Sequence, residues 1–377
     1  MCFRLCASMN RVLTFHRSSA PNSLSIWTHN MQGLSFSNGF NPQGCGYSID
    51  TAAITAAAGV QMMEIDYEAS LRNLTIVSGG AGTVGLGGYL TGGGHGALSL
   101  TYGLAADQVL EIEMVTPGGE ILTVNECQHK DLFWAMRGVS VCITCQIITA
   151  NFKQGGGSTF GVITSVTFKA FPSAPYATVL AVLATLPGTQ AFWVATANVL
   201  SQFPMLNDQG ISGYTFIAPN ITSAALNITS PIDAYYGIFN LPLLYPGNSS
   251  ASLAAAINNV FATATAAYPF QFLKSVTPTL YPDFYSWYAI NNGPLSAGQD
   301  YVVGSRLLDE EALTSNLTAL VEAFQTATPP GSSSSVYLVG GKGVWDVVPR
   351  GGSDAVNPAW RKALVHSGAS LPLFSYF

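Results

Sequence analysis

Between Gly79 and Gly103 the chain reads GGAGTVGLGGYLTGGGHGALSLTYG, 11 glycines in 25 residues. Glycine loses more backbone freedom on folding than any other residue and brings no side chain to pack, so this density predicts a loop rather than the interior of a helix or strand. It also lets backbone N–H groups approach a ligand with no Cβ in the way, and successive N–H groups in such a loop make a concave anion site. No lysine or arginine occurs between Arg72 and Lys130, so an anion held here would rest on main-chain dipoles alone. The residues leave two readings open, a phosphate-binding loop and a structural glycine turn.

Two common phosphate loops are excluded. The glycines open no long helix, and no acidic residue closes a following strand at the spacing a Rossmann unit needs. The pattern GxxxxGK[ST] is absent. His95, flanked by glycines, suits either an imidazole that orders the loop or a hydrogen bond to a cofactor. Tyr89 and Tyr102 suit core packing or stacking on a flat heterocycle. Asp107, one of few charges here, suits a backbone-fixing role or a cofactor contact.

The surroundings of the loop predict alternating structure. Ala52 to Gly59 reads as a small-residue strand, Met62 to Leu71 as a short helix and Leu74 to Ser78 as a strand. Val109 to Thr116 and Ile121 to Val124 flank Pro117-Gly118-Gly119-Glu120 and predict a hairpin. Asp131 to Arg137 reads as a short helix with Asp131 as its cap. Val162 to Phe171 alternates like a half-buried strand, and Pro172 to Pro175 marks a domain boundary.

Composition narrows the partners. Only 9% of residues are charged, the net charge is −6 and the 14 basic residues form no block, which argues against a nucleic-acid surface. No apolar run is long enough to span a membrane. Hydrophobic residues make up 48%, enough for a sizeable core. The sequons at Asn73, Asn220, Asn227, Asn248 and Asn316 suggest secretion, although MCFRLCASMNRVLTFHRSS makes a poor signal peptide. The six cysteines (Cys2, Cys6, Cys45, Cys127, Cys142, Cys145) set no disulfide framework in a chain of this length, and Cys142 and Cys145 lack the second pair a zinc site needs.

GGYLTGGGHGALSLTYGLAADQVLEIEMVTPGGEILTVN, followed by DLFWAMRG and GGGSTFGVITSVTFKAFP, resembles the berberine-bridge-enzyme-like FAD-linked oxidases of the vanillyl-alcohol-oxidase superfamily. SRLLDEE and NPAWRKALVH resemble later segments of fungal members. The resemblance implies an α+β chain. A partial PCMH-type FAD-binding domain at 17–172 precedes an incomplete substrate domain at 173–377, with an antiparallel sheet flanked by helices. It implies FAD contacts at Gly79, Gly80, Thr83, Val84, Gly87, Gly88, Tyr89, Thr91, Gly92, Gly93, Gly94, His95, Gly96, Leu104 and Asp107. Phe160, Gly161 and Val162 are implied near the cofactor too. The implied chemistry is hydride transfer from an alcohol, sugar or amine carbon of a small-molecule substrate to flavin N5, with O2 as acceptor. Full-length members are expected to be secreted.

The chain departs from that pattern. The loop whose histidine attaches the flavin is missing; His16 lies too close to Arg17, and Ala81 stands where a second, cysteinyl attachment would fall, so non-covalent FAD is expected. Val139 to Gln154 (VSVCITCQIITANFKQ) interrupts a motif that reads continuously when Gly138 is joined to Gly155, and its ends can be encoded as intron boundaries; a retained intron is expected. The chain is expected to be truncated at both ends and impaired. The alternative is a non-catalytic remnant that binds no FAD. A secreted glycan-binding module using Trp287 and Tyr288 as platforms is a weaker rival. No catalytic base is assigned; Asp283, Tyr288 and Glu310 stand as equal candidates.

Overall fold

A computed structural model describes residues 6–8, 25–138, 160–223, 228–292 and 301–372. The expected insertion at 139–154, with Cys142 and Cys145, lies outside the described residues, as do His16 and Asn227. The chain forms two units. One takes Met1–Ser173, Tyr285–Gln299 and Asp346–Pro358; the other takes Ala174–Phe284, Asp300–Trp345 and Ala359–Phe377. The expected boundary at Pro172 to Pro175 coincides with the first division. The continuous second domain expected at 173–377 is corrected, because two later segments join the first unit.

In the first unit β1 (Cys6–Ser8) pairs in parallel with β2 (Ser25–Trp27). A five-stranded antiparallel sheet has the order β3 (Leu34–Ser37), β4 (Ala53–Ala57), β8 (Val162–Lys169), β6 (Val109–Val115), β7 (Ile121–Asn125). The expected hairpin is β6–β7, closed by Thr116 N–H donating to the Glu120 carbonyl at 2.9 Å, with Gly119 at φ 85°. Helix α1 (Met62–Ser70) buries Met62, Ile65, Asp66 and Ala69, the i, i+3, i+4, i+7 stripe of a helix laid on a core. β5 (Leu74–Thr75) pairs with β9 (Phe171–Pro172).

The glycine-rich stretch departs from its expectation. It contains two short helices, α2 (Leu86–Thr91) and α3 (Ser99–Tyr102), with Gly87 and Gly88 inside α2. One and a half turns carry little of the entropic cost that a long glycine helix would. Thr91 ties α2 together by donating its hydroxyl to the Gly87 carbonyl at 2.9 Å. Helix α4 (Lys130–Ala135) begins at His129 rather than at Asp131, which lies in its first turn.

The cysteine reading is also corrected. Cys45 and Cys127 form a disulfide that ties the turn after β7 to the loop after β3 across 82 residues.

The second unit is a seven-stranded antiparallel sheet in the order β13 (Leu273–Tyr281), β10 (Tyr176–Thr185), β12 (Ile228–Pro242), β11 (Ser212–Ser223), β15 (Ser333–Leu338), β16 (Val365–Pro372), β14 (Tyr301–Leu308). One core gathers inward-facing Val179, Leu183, Ile217, Tyr235, Phe239 and Val336 of the sheet with residues of α5 (Gln190–Leu200), α6 (Phe203–Asp208), α7 (Ser250–Ala264) and α10 (Leu317–Ala327). Asn316 starts α10, its amide oxygen accepting from Ala319 N–H at 3.0 Å. Alternate residues of the strands, Tyr214, Phe216, Tyr236, Tyr337 and His366, sit half-buried on the other face of the sheet. Glu310 is exposed in the first turn of α9 (Glu310–Thr314).

The returning segments of the first unit are held by specific bonds. Helix α8 (Phe284–Asn291) carries Tyr288, whose hydroxyl donates to the Gly79 carbonyl at 2.7 Å. Arg137 donates from Nη2 to the carbonyls of Arg350 (2.9 Å) and Ser353 (2.8 Å), and from Nε to the Phe133 carbonyl (2.9 Å). Burial lowers the Arg137 pKa to about 10, so the guanidinium stays charged at neutral pH. Arg350 in turn pairs with Glu126 beside the disulfide.

Candidate functional site

The loop is built as two arms that cross. The first runs from Val77 to Gly85, the second from Gly92 to Gly96. At the crossing, a Cβ on Gly96 would lie 1.9 Å from the Ser78 carbonyl oxygen, so no larger residue fits there. Tyr89, on α2 between the arms, donates its hydroxyl to the carbonyls of Val77 (3.0 Å) and His95 (3.1 Å). Its ring packs on both arms: a Cβ on Gly79 would lie 2.9 Å from Tyr89 Cε2, and one on Gly94 would lie 3.0 Å from Cε1. The second arm is joined to the turn that follows it, Ala105 N–H donating to Gly94 (2.8 Å) and Ala106 N–H to Gly93 (3.0 Å). Asp107 is fully buried and accepts from Leu104 N–H at 2.7 Å, which fixes the 104–108 turn. Tyr102 stacks on Phe171, ring centroids 3.9 Å apart, and so packs against a neighbouring ring.

The glycines therefore divide. Gly79, Gly82, Gly94 and Gly96 allow close packing within the protein, as the structural-turn reading expects. Gly80 and Gly88 are exposed, and a Cβ added to either would meet nothing within 4 Å. The amides of Gly79, Gly80, Ala81 and Thr83 donate to no described residue. Gly85 caps the start of α2 without a side-chain bond. These main-chain donors, with the open Cα of Gly80 among them, are of the kind that can cradle an anion with several oxygens, such as a diphosphate. Beside Gly82 opens a depression of about 410 Å³ lined by Gln61, Met63, Glu64, Tyr67 and Tyr285.

The remaining candidates fall as follows. Val84 closes the turn, donating to Ala81 (3.1 Å) and accepting from Met62 N–H (3.0 Å). Thr83 is half-buried on the open arm, and Gly92 N–H returns to Gly88 (3.2 Å). Phe160, Gly161 and Val162 are not brought to the loop. Val162 pairs with Val115, at the far end of β6 from the 104–108 turn, about 20 Å along the strand. Only an extended group touches both places.

Sequence reasoning missed Asp66 and singled out Tyr288 only as a base or platform candidate, not as a brace of the loop. Tyr288 is buried, 1% exposed, and its hydroxyl holds the first arm rather than facing a substrate; Trp287, 4% exposed, is no sugar platform either. Asp66 lies under the same arm, 2% exposed, and accepts from the Ser78 hydroxyl at 2.7 Å. Burial raises its pKa to about 8 against the opposing Ser78 hydrogen bond, which favours the neutral acid.

Residues 20–125 match the FAD binding domain family. This range contains both arms and the amide cradle. The chain is similar to FAD-linked oxidoreductases over nearly all of its length. It is 35% identical to an uncharacterized FAD-linked oxidoreductase of Arthroderma benhamiae, over 93% of this chain and 56% of that protein. It is 33% identical to FAD-linked oxidoreductase malF of Malbranchea aurantiaca, over 93% of this chain and 54% of that protein. The chain thus spans about half the length of the curated relatives it matches. Among solved structures, the VAO-type flavoprotein MtVAO713 of Myceliophthora thermophila superposes with a TM-score of 0.78 at 26% identity, covering 98% of this chain and 63% of that one. The mixed architecture of antiparallel sheets and helices is that of this fold family.

Proposed function

We propose that this FAD-linked oxidoreductase binds FAD non-covalently, with the diphosphate in the amide cradle of 79–83. The single observation that carries this is the set of four main-chain donors without described acceptors beside the open Cα of Gly80. Backbone amides suit a diphosphate because its charge is spread over several oxygens that need several donors. Ala81 offers no nucleophile to the flavin, which supports reversible binding.

Bound there, FAD supplies hydride acceptance at N5 from an alcohol, sugar or amine carbon of a small-molecule substrate, with O2 taking the electrons onward. The chain's own share is to orient and to exclude water. Tyr89 and Tyr288 fix the arms, and Asp107 fixes the turn after them. The disulfide Cys45–Cys127 and the exposed sequon residues Asn73, Asn220 and Asn316 support a secreted, oxidising setting.

Purified protein reconstituted with FAD tests this reading. The expected result is stoichiometric uptake, release of all flavin on acid precipitation, and bleaching under anaerobic conditions by one of the three substrate classes, reversed by O2. Protein that stays colourless in excess FAD overturns it in favour of a non-catalytic relative.

A further inference from the structure

The first arm of the loop is pinned at three successive residues. Tyr89 holds the Val77 carbonyl, Tyr288 holds the Gly79 carbonyl, and between them Asp66 holds the Ser78 side chain. The Asp66 pin differs from the others because it can acquire charge. Its Oδ1 accepts from the Ser78 hydroxyl, while Oδ2 is buried with no described partner. Among the described residues no cation pairs with it. Of the charged residues on its own helix, Glu64 is exposed and Glu68 pairs with Arg72. β5, the Ile76–Gly79 segment and α2 contribute no charged side chain. Among the described residues, burial raises its pKa and the Ser78 bond opposes that rise. A carboxylate here would be a buried anion bonded to Ser78, the residue before Gly79 and Gly80.

We propose that Asp66 is a positioning residue that works as a neutral acid: uncharged, it keeps the Val77–Gly79 arm closed beneath the anion cradle, and ionised, it opens that arm and repels the diphosphate. This rests on the reading that the 79–83 amides bind FAD. The arm-opening half is independent of it. Ionisation does not break the Ser78 bond, since a carboxylate accepts more strongly than an acid. It acts by drawing water toward the buried charge and by placing a like charge near the cofactor. By linkage, bound FAD favours the proton on Asp66.

The test compares wild type, Asp66→Asn and Ser78→Ala by hydrogen exchange of the 76–98 peptides without FAD, and by FAD titration, between roughly pH 6 and pH 9. In wild type, exchange of 76–98 is expected to rise beyond its intrinsic pH dependence, and the FAD Kd to weaken by about tenfold over the same range. Asp66→Asn stays flat in both measurements. Ser78→Ala, which removes the one bond favouring the charged form, moves the wild-type midpoint to higher pH, so the proposal stays testable even if Asp66→Asn fails to fold. A wild-type profile shared by Asp66→Asn, or an unmoved midpoint in Ser78→Ala, overturns the proposal. Absence of FAD binding at every pH overturns the cofactor reading and the repulsion half of the proposal, while the exchange profiles alone decide the arm-opening half.

Discussion

Gly96 and Gly80 sit on the same loop and answer to opposite constraints. A methyl group at Gly96 collides with the Ser78 carbonyl, whereas one at Gly80 points into open space. Gly96→Ala should therefore cost at least about 3 kcal/mol in denaturant unfolding, because the clash is with backbone that cannot swing aside. Gly80→Ala should change stability by under about 1 kcal/mol. Tyr288→Phe leaves the Gly79 carbonyl without its donor and should cost about 1–2 kcal/mol without altering the fold. Asp66 gives a pH-dependent prediction. Its folded pKa of about 8 lies above the ordinary 3.8, so between those values the native state holds a proton that the unfolded chain has released. Stability falls as pH rises through that window. Asp66→Asn removes the slope, and its melting temperature should pull ahead of wild type progressively from about pH 4 to about pH 8.

At the scale of elements, local signals were legible and long-range partners were not. Pro117-Gly118-Gly119 between two apolar alternations announces the β6–β7 hairpin because turn chemistry and register are written in adjacent residues. The stripe of α1 is equally local. The helix inside the glycines escapes a reading by composition, since what stabilises α2 is the Tyr89 ring wedged between two glycines that come together only in the folded loop. Arg137 bonds to carbonyls more than 200 residues away, and any residue type presents a carbonyl, so no pattern marks 350–353 as its partner. The same holds for Tyr288 and Gly79. The Cys45–Cys127 bridge is likewise invisible among six cysteines. Closing so long a loop, it should contribute about 3–4 kcal/mol, and Cys45→Ala/Cys127→Ala should lower the denaturant midpoint accordingly.

Taken as a whole molecule, the chain places few charges on a large apolar body, only 9% of its residues. On the proposed reading, an anionic cofactor in the first unit would be met by main chain rather than by a cluster of cations; no Lys or Arg lies between Arg72 and Lys130, so the family motif carried more information than the charge pattern. Main-chain recognition also sets what perturbs it. Salt should weaken FAD binding little compared with a site built on exposed lysines, whereas a side chain added at an open glycine should block it. The most direct measurement is FAD titration of wild type and Gly80→Leu, followed by visible absorption and by thermal unfolding with and without FAD. Wild type is predicted to bind one FAD and to gain about 2.7 kcal/mol of stability at a hundredfold excess over Kd, while Gly80→Leu melts like the FAD-free wild type and binds at least tenfold more weakly. Equal FAD affinity in the two proteins would contradict the claim that the amides beside Gly80 hold the diphosphate.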